Sequence, residues 1–278
     1  MAGIKFHAAI DVEISRNHIY RTNMGLWLDW MAQGTRVSSN LFHDNAAEDL
    51  FVEVNHGPFL VDNNLFLSGV NLLDVSEGGA YVHNLMIGKI VSQPELRRST
   101  PYHPPHSTAL AGLRNIRGGD NRFYNNIMVG AGESSVGTGK PAGNDPQHDT
   151  GFGLWAYDNR ELPLQAGGNV HCNGARPYSK EAKHVVLAGF DPKVRVVTEG
   201  DRVYLHLTLD QAVKKSKTAL VTTGLLGKAK IPGLPYENPD GSPLKLDSDY
   251  FGKRRNQANP TAGPFENPGT SLLTLKVW

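Results

Sequence analysis

The chain of 278 residues has one cysteine, Cys172, so an internal disulfide is excluded. That usage fits a reducing compartment, and a cytoplasmic location is the expectation. No apolar run approaches the roughly 18 residues that a membrane helix needs. No signal peptide is expected either, because Met1 to His7 enters a strand pattern without a charged region and an apolar core. An excess of either charge is lacking too: Lys and Arg number 28 against 27 Asp and Glu, a formal net charge of +1. That balance argues against nucleic acid or a membrane surface as partner. With 39% hydrophobic residues the chain can build one large domain or two modest ones.

What the sequence does contain is a repeat. An apolar-x-x-Asn pattern ends at Asn17, Asn40, Asn64, Asn84 and Asn126, in steps of 23, 24, 20 and 42. The last step is two periods or one period with an insertion. A period near 20 to 25 residues, with short strands and Asn-rich bends, predicts an all-β fold, a parallel β-solenoid. Asn tolerates the left-handed backbone of a bend and can bond to its neighbours above and below. Residues 1–150 are expected to form the coils and carry the site, with 151–278 a β-rich completion or cap. The coils start abruptly at Gly3, which predicts an open end that a missing N-terminal region, or a second copy in a homo-oligomer, would cover.

Two carboxylates fall on equivalent positions of this repeat. Asp29 lies 11 residues before Asn40, and Glu53 lies 11 before Asn64. Strand alternation turns Leu26 and Leu28 one way and Trp27 and Asp29 the other; Leu50, Val52 and Val54 likewise oppose Phe51 and Glu53. Neighbouring strands are ~4.8 Å apart, so the two acids should stand roughly 5 Å apart, the spacing of a retaining rather than an inverting glycosidase. A close acid pair also raises one carboxyl, giving a proton donor beside a nucleophile. The plain alternative is two surface acids in chance register. Trp27 and Phe51 add an aromatic surface suited to a sugar face.

Other residues extend the candidate site. His7 of Gly3-Ile-Lys-Phe-His7 is expected one rung below Asp29, and Asp74, ten residues before Asn84, one rung beyond Glu53. His56 follows Glu53 in a turn. The stretch Arg97-Arg98-Ser-Thr-Pro-Tyr-His103-Pro-Pro-His106 breaks the period and reads as a loop walling the binding face. His103 and His106 have an i, i+3 spacing but no carboxylate or Cys at ligand spacing, so hydrogen bonding is expected there and no metal site. Gly130 to Pro141 resembles a phosphate loop without meeting its order. Beyond Gly151, strands are expected at Phe152–Tyr157, Val185–Leu187, Val194–Val197, Val203–Leu207 and Leu272–Trp278, a helix over Asp210–Lys217, and a solvated basic turn at Tyr250–Arg255.

The stretch Gly25-Leu-Trp-Leu-Asp29-Trp, then Gln33-Gly-Thr-Arg, then Asp49-Leu-Phe-Val-Glu53-Val-Asn-His-Gly-Pro-Phe, resembles the active-site coils of glycoside hydrolase family 120 β-xylosidases. The likeness extends to the Thr-Pro-Tyr-His103-Pro-Pro-His106 and Asp-Tyr-Phe-Gly-Lys-Arg segments. It implies a right-handed parallel β-helix, Asp29 as nucleophile, Glu53 as general acid/base, and xylobiose or xylo-oligosaccharides as substrate. No cofactor is required by that chemistry, although outward acids are of the type that hold a structural Ca²⁺. Family members are considerably longer, with earlier coils, a β-sandwich domain and a further acid expected just before Gly3. A pectate-lyase-like enzyme and a non-catalytic carbohydrate-binding solenoid are the competing readings.

Overall fold

The computed structural model describes residues 1–132 and 149–278. Strands arrive in triplets: β1 (Ala2–His7), β2 (Glu13–Ser15) and β3 (His18–Tyr20), then β4 (Met24–Asp29), β5 (Arg36–Ser38) and β6 (Leu41–His43). The third and fourth are β7 (Leu50–Glu53), β8 (Phe59–Asp62), β9 (Leu65–Phe66), and β10 (Val70–Val75), β11 (Gly79–Val82), β12 (Leu85–Met86). Next come β13 (Lys89–Ser92), a hairpin of β14 (Glu95–Tyr102) and β15 (Gly112–Ile116), β16 (Arg122–Tyr124) and β17 (Ile127–Val129). The series closes with β18 (Asp149–Gly151), β19 (Gln165–Gly167), β20 (Val170–Cys172) and β21 (Val185–Leu187). Corresponding members of successive triplets pair, which gives three sheets: β1-β4-β7-β10-β13-β18, β2-β5-β8-β11-β16-β19 and β3-β6-β9-β12-β17-β20-β21.

This corrects the expected architecture. In place of one right-handed parallel β-helix with a terminal cap, the chain forms separate, mainly parallel sheets, each its own ladder. The first sheet ends with an antiparallel pairing of β13 and β18. After β21 the chain stops adding to the ladders and folds back as a three-stranded antiparallel sheet, β22 (Arg195–Glu199), β23 (Arg202–Thr208) and β24 (Leu272–Lys276). Single left-handed residues turn the chain from one sheet to the next and interrupt pairing there: Arg16, Ser39, Asn63, His83 and Asn125 have φ of 54, 54, 57, 55 and 58°.

Those left-handed residues sit one position before the ladder asparagines, not on them. Each ladder side-chain oxygen accepts from the backbone N–H and side-chain amide of the Asn before it: Asn40 from Asn17 at 2.9 and 2.9 Å, Asn64 from Asn40 at 2.9 and 3.0 Å, Asn84 from Asn64 at 2.9 and 3.1 Å. The series continues through Asn126 to Asn169, a member the periodicity had not revealed. The step from Asn84 to Asn126 is one triplet enlarged by the β14–β15 hairpin, since β11 pairs directly with β16.

Between the sheets lies a core containing Leu26, Leu28, Leu50 and Val52, with stacked pairs Phe42–Phe66 (centroids 5.0 Å apart) and Tyr81–Phe123 (4.6 Å). The C-terminal residues then cover two outer faces. Val203, Leu205 and Leu207 of β23 pack on Leu41, Leu65 and Leu85 of the third sheet. Val221, Leu226, Tyr236 and Leu244 pack on Leu60, Ala80 and Val82 of the second. The outer face of the first sheet gets no comparable cover among the described residues, and the hairpin borders it through Ile116, which shares a small apolar cluster with Trp30 and Phe51.

The expected helix forms as α1 (Gln211–Lys215), capped by Asp210, whose carboxylate accepts from Ala212 N–H at 2.7 Å. A second short helix, α2 (Thr223–Leu226), follows it. The strand expected at Phe152–Tyr157 is instead a 3₁₀ helix over Leu154–Tyr157, which brings Leu154 and Tyr157 onto one buried face. Gly153 enters it at φ 94°, where a Cβ would meet Arg176 O at 2.2 Å. The turn at Tyr250–Arg255 is not solvated throughout: Arg255 is buried and donates to Asn63 Oδ1 at 2.7 Å and Gly263 O at 3.0 Å. Of the glycine-rich stretch 130–141, positions from 133 onward lie outside the described residues.

Asn64 donates to Val37 O at 2.9 Å and Asp62 O at 3.0 Å while accepting from Asn40. Asn64→Ala should therefore strand several buried groups, cost about 3 kcal/mol, and lower Tm by roughly 6–12 °C in a calorimetric scan.

Candidate active site

Parallel pairing sets His7 opposite Asp29, and Asp29 opposite Glu53, as direct Cα partners across β1, β4 and β7. Each of the three ends its strand, and the next residue, Ala8, Trp30 or Val54, turns with φ of 57, 48 or 48°. A β-branched residue in that region is costly, so the corner after Glu53 is strained by about 1–3 kcal/mol. It brings the acid to the lip of the open face.

Asp29 is 8% exposed, and its Oδ2 accepts from Lys5 Nζ at 2.9 Å and His7 Nδ1 at 3.2 Å. Burial acts to raise the Asp29 carboxyl, but the bonds and charges of Lys5 and His7 outweigh it and hold the group below the usual aspartate value. Asp29 is therefore ionised at neutral pH. Glu53 has a donor on each oxygen: Arg98 Nη2 reaches Oε1 at 2.6 Å, and Trp27 Nε1 donates to Oε2 at 3.0 Å. Each acid thus has its own cation, which relieves the mutual repulsion on which the sequence reading relied.

Lys5 and Arg98 were missed in the sequence. Lys5 had a legible signal, since it shares strand parity with His7 and pairs with Trp27. Arg98 had none, because the hairpin carries no period to place it. Lys5 Nζ lies 3.4 Å from the centre of the Trp27 ring, and Phe51 stacks beside that ring at 5.3 Å. Arg98 lies over Trp30 at 5.3 Å, and Trp30 in turn stacks on His7 at 5.9 Å.

The remaining expected residues do not join the acid pair. Asp74 pairs with Val52 and points inward, 1% exposed, where it accepts from Tyr157 Oη and Asn121 Nδ2, both at 2.7 Å. Its ten-residue distance from Asn84, against 11 for the two acids, reverses its strand parity. His56 is buried in the hairpin's attachment, with Nδ1 2.6 Å from Glu77 Oε1 and Nε2 3.2 Å from Thr100 O and Arg114 O. His103 is also buried, its Nδ1 donating to Ala109 O at 2.8 Å. His106 sits between Asp11 Oδ2 at 3.0 Å and Glu237 Oε1 at 3.3 Å. It borders a groove of about 130 Å³ between the second sheet and residues 234–244, away from the acids. Among the described residues, no group of three or more His, Cys, Asp or Glu is placed to hold a metal ion.

No protein-family model matches the chain, and no curated protein matches it. Among solved structures it is similar to XylC, determined in complex with xylose: 39% identical, TM-score 0.90, with 100% of this chain and 45% of that one covered. The chain therefore spans less than half the length of that relative.

Two pH effects follow from these placements. Burial pushes the Asp74 carboxyl up to about 7, against the hydrogen bonds of Tyr157, Asn121 and Ser76. A raised folded value means stability present below the unfolded value of 3.8 is lost as pH rises through about 7. The Tm difference between Asp74→Asn and the native chain should accordingly shift in the variant's favour from pH 4 to pH 8. His106 can donate from both nitrogens only as imidazolium, and its bond to Asp11, then Glu237, raises its value. That contribution is present below the ordinary value of 6.5 and lost as pH rises through the folded one. His106→Ala should lower Tm more at pH 5.5 than at pH 8.5.

Proposed function

We propose that this chain is a retaining glycoside hydrolase of the family 120 β-xylosidase type, cleaving β-1,4-xylosidic bonds of xylobiose and xylo-oligosaccharides. The observation that carries the reading is the direct register of Asp29 and Glu53 on an outer face left open between aromatic rings. Strand partners of this kind match the short carboxyl separation of double displacement, ~5–5.5 Å. Likeness to a chain solved with xylose supports a pentose as the sugar.

In this reading Asp29 attacks the anomeric carbon with Oδ1, because Oδ2 is held by Lys5 and His7. Protonated Glu53 gives its proton to the departing glycosidic oxygen as that bond breaks, leaving a xylosyl ester on Asp29. Water then attacks the same carbon, Glu53 takes its proton, and the ester opens to release β-xylose. Substrate entry must first draw Arg98 or Trp27 away from Glu53. Arg98 is suited to yield, with its side chain 41% exposed and rooted in the hairpin.

A second reading is a non-catalytic carbohydrate-binding module. The donors occupying both Glu53 oxygens favour it, as does the chain's match to only 45% of XylC.

A time course with an aryl β-xyloside and xylobiose, followed through the anomeric proton by NMR, separates the two. β-Xylose should appear first and mutarotate later; α-xylose first would overturn retention, and saturable binding of xylobiose without turnover would favour the module. Asp29→Ala should abolish turnover, with azide restoring it as the opposite anomer. Glu53→Gln should lower kcat/KM by roughly 10²–10⁴-fold.

A further inference from the structure

The outer face of the third sheet is apolar along its length except at one end. The register continues His18 into Leu41, Leu65, Leu85 and Ile127, all buried under the C-terminal antiparallel sheet. The neighbouring row begins with Tyr20 and His43, direct partners on β3 and β6. Both rows therefore change from aliphatic to imidazole in the first two triplets, where solvent still reaches Tyr20 at 44% exposure.

The two imidazoles are aimed at each other. His18 Nε2 lies 2.6 Å from His43 Nε2, and the rings are 4.8 Å apart at 29°. Tyr20 stacks on both, at 4.3 Å from His18 and 5.2 Å from His43, which restricts their rotamers. His43 Nδ1 lies 2.9 Å from Asp44 Oδ2. A carboxylate can only accept, so Nδ1 is the donor and the neutral ring presents its Nε2 lone pair to His18. A carboxylate behind a histidine in this manner is the outer arrangement that orients metal-binding imidazoles and raises their basicity.

We propose that His18 and His43 bind a divalent transition metal ion of borderline softness, Zn²⁺ being the representative. Imidazole suits such ions. With Zn–N bonds of about 2.0–2.1 Å, two tetrahedral ligands stand about 3.3 Å apart, so the Nε2 atoms need to part by less than about 1 Å while the rings, now head to head, turn until both lone pairs meet on the ion. Two protein donors leave the remaining positions to water. The site lies on the third sheet, whereas Asp29 and Glu53 lie on the first, so the proposal does not rest on the hydrolase reading.

The test is isothermal titration of the full chain, free of any affinity tag, with ZnCl₂. The native chain should show a saturable site that His18→Ala and His43→Gln each remove, and that Asp44→Asn weakens about tenfold. The ring-proton resonances of His18 and His43 should shift together at equimolar Zn²⁺. Absence of a saturable site would overturn the proposal, and so would an isotherm unchanged in His18→Ala. Should buried His43→Gln fail to fold, His18→Ala on the more exposed partner decides the question.

Discussion

The rest of the structure depends on the hydrogen-bonded line of asparagines from Asn17 to Asn169. Where the chain turns from the second sheet to the third it must leave its ladders, and buried backbone groups there need partners. An Asn side chain supplies a donor and an acceptor at once, and the next Asn repeats the arrangement one strand further on. The preceding residue takes the left-handed turn, at Arg16, Ser39, Asn63, His83 and Asn125 alike. Because each rung fixes the rung above it, the ladder transmits register from triplet to triplet. Asp29 and Glu53 face each other as a consequence of it.

Parity of the strands then decides which acids matter. A strand residue one place out of step faces the core, so Asp74 became a buried acceptor for Tyr157 and Asn121 while Glu53 stayed at the surface. Charge balance is settled by side chains from two directions. Lys5 comes from the neighbouring strand, and Arg98 comes from a hairpin inserted some forty residues later in the chain. Together they neutralise a pair of acids that would otherwise repel one another on a half-buried surface.

The C-terminal residues contribute by covering. They bury the outer faces of the second and third sheets in separate apolar clusters, while the first sheet has no comparable cover among the described residues. At the first strands of the third sheet, where His18, Tyr20 and His43 replace the aliphatic row, the cover thins to Trp278, whose ring lies 5.3 Å from that of His18.

The repeat by itself determined the all-β character, the spacing of the asparagines and the pairing of Asp29 with Glu53, because ladder spacing and strand alternation are local periodicities that survive in one dimension. Most C-terminal strands and the helix after Asp210 were legible for the same reason. Tertiary structure alone decided the separation into three sheets, the folding back of the chain after β21, and the Arg98 partner of Glu53. Arg98 reaches Glu53 through a hairpin with no period, and His56 and His103 are consumed in anchoring that hairpin. Such contacts join residues far apart in sequence through packing, and no local pattern records where a long insertion comes to rest.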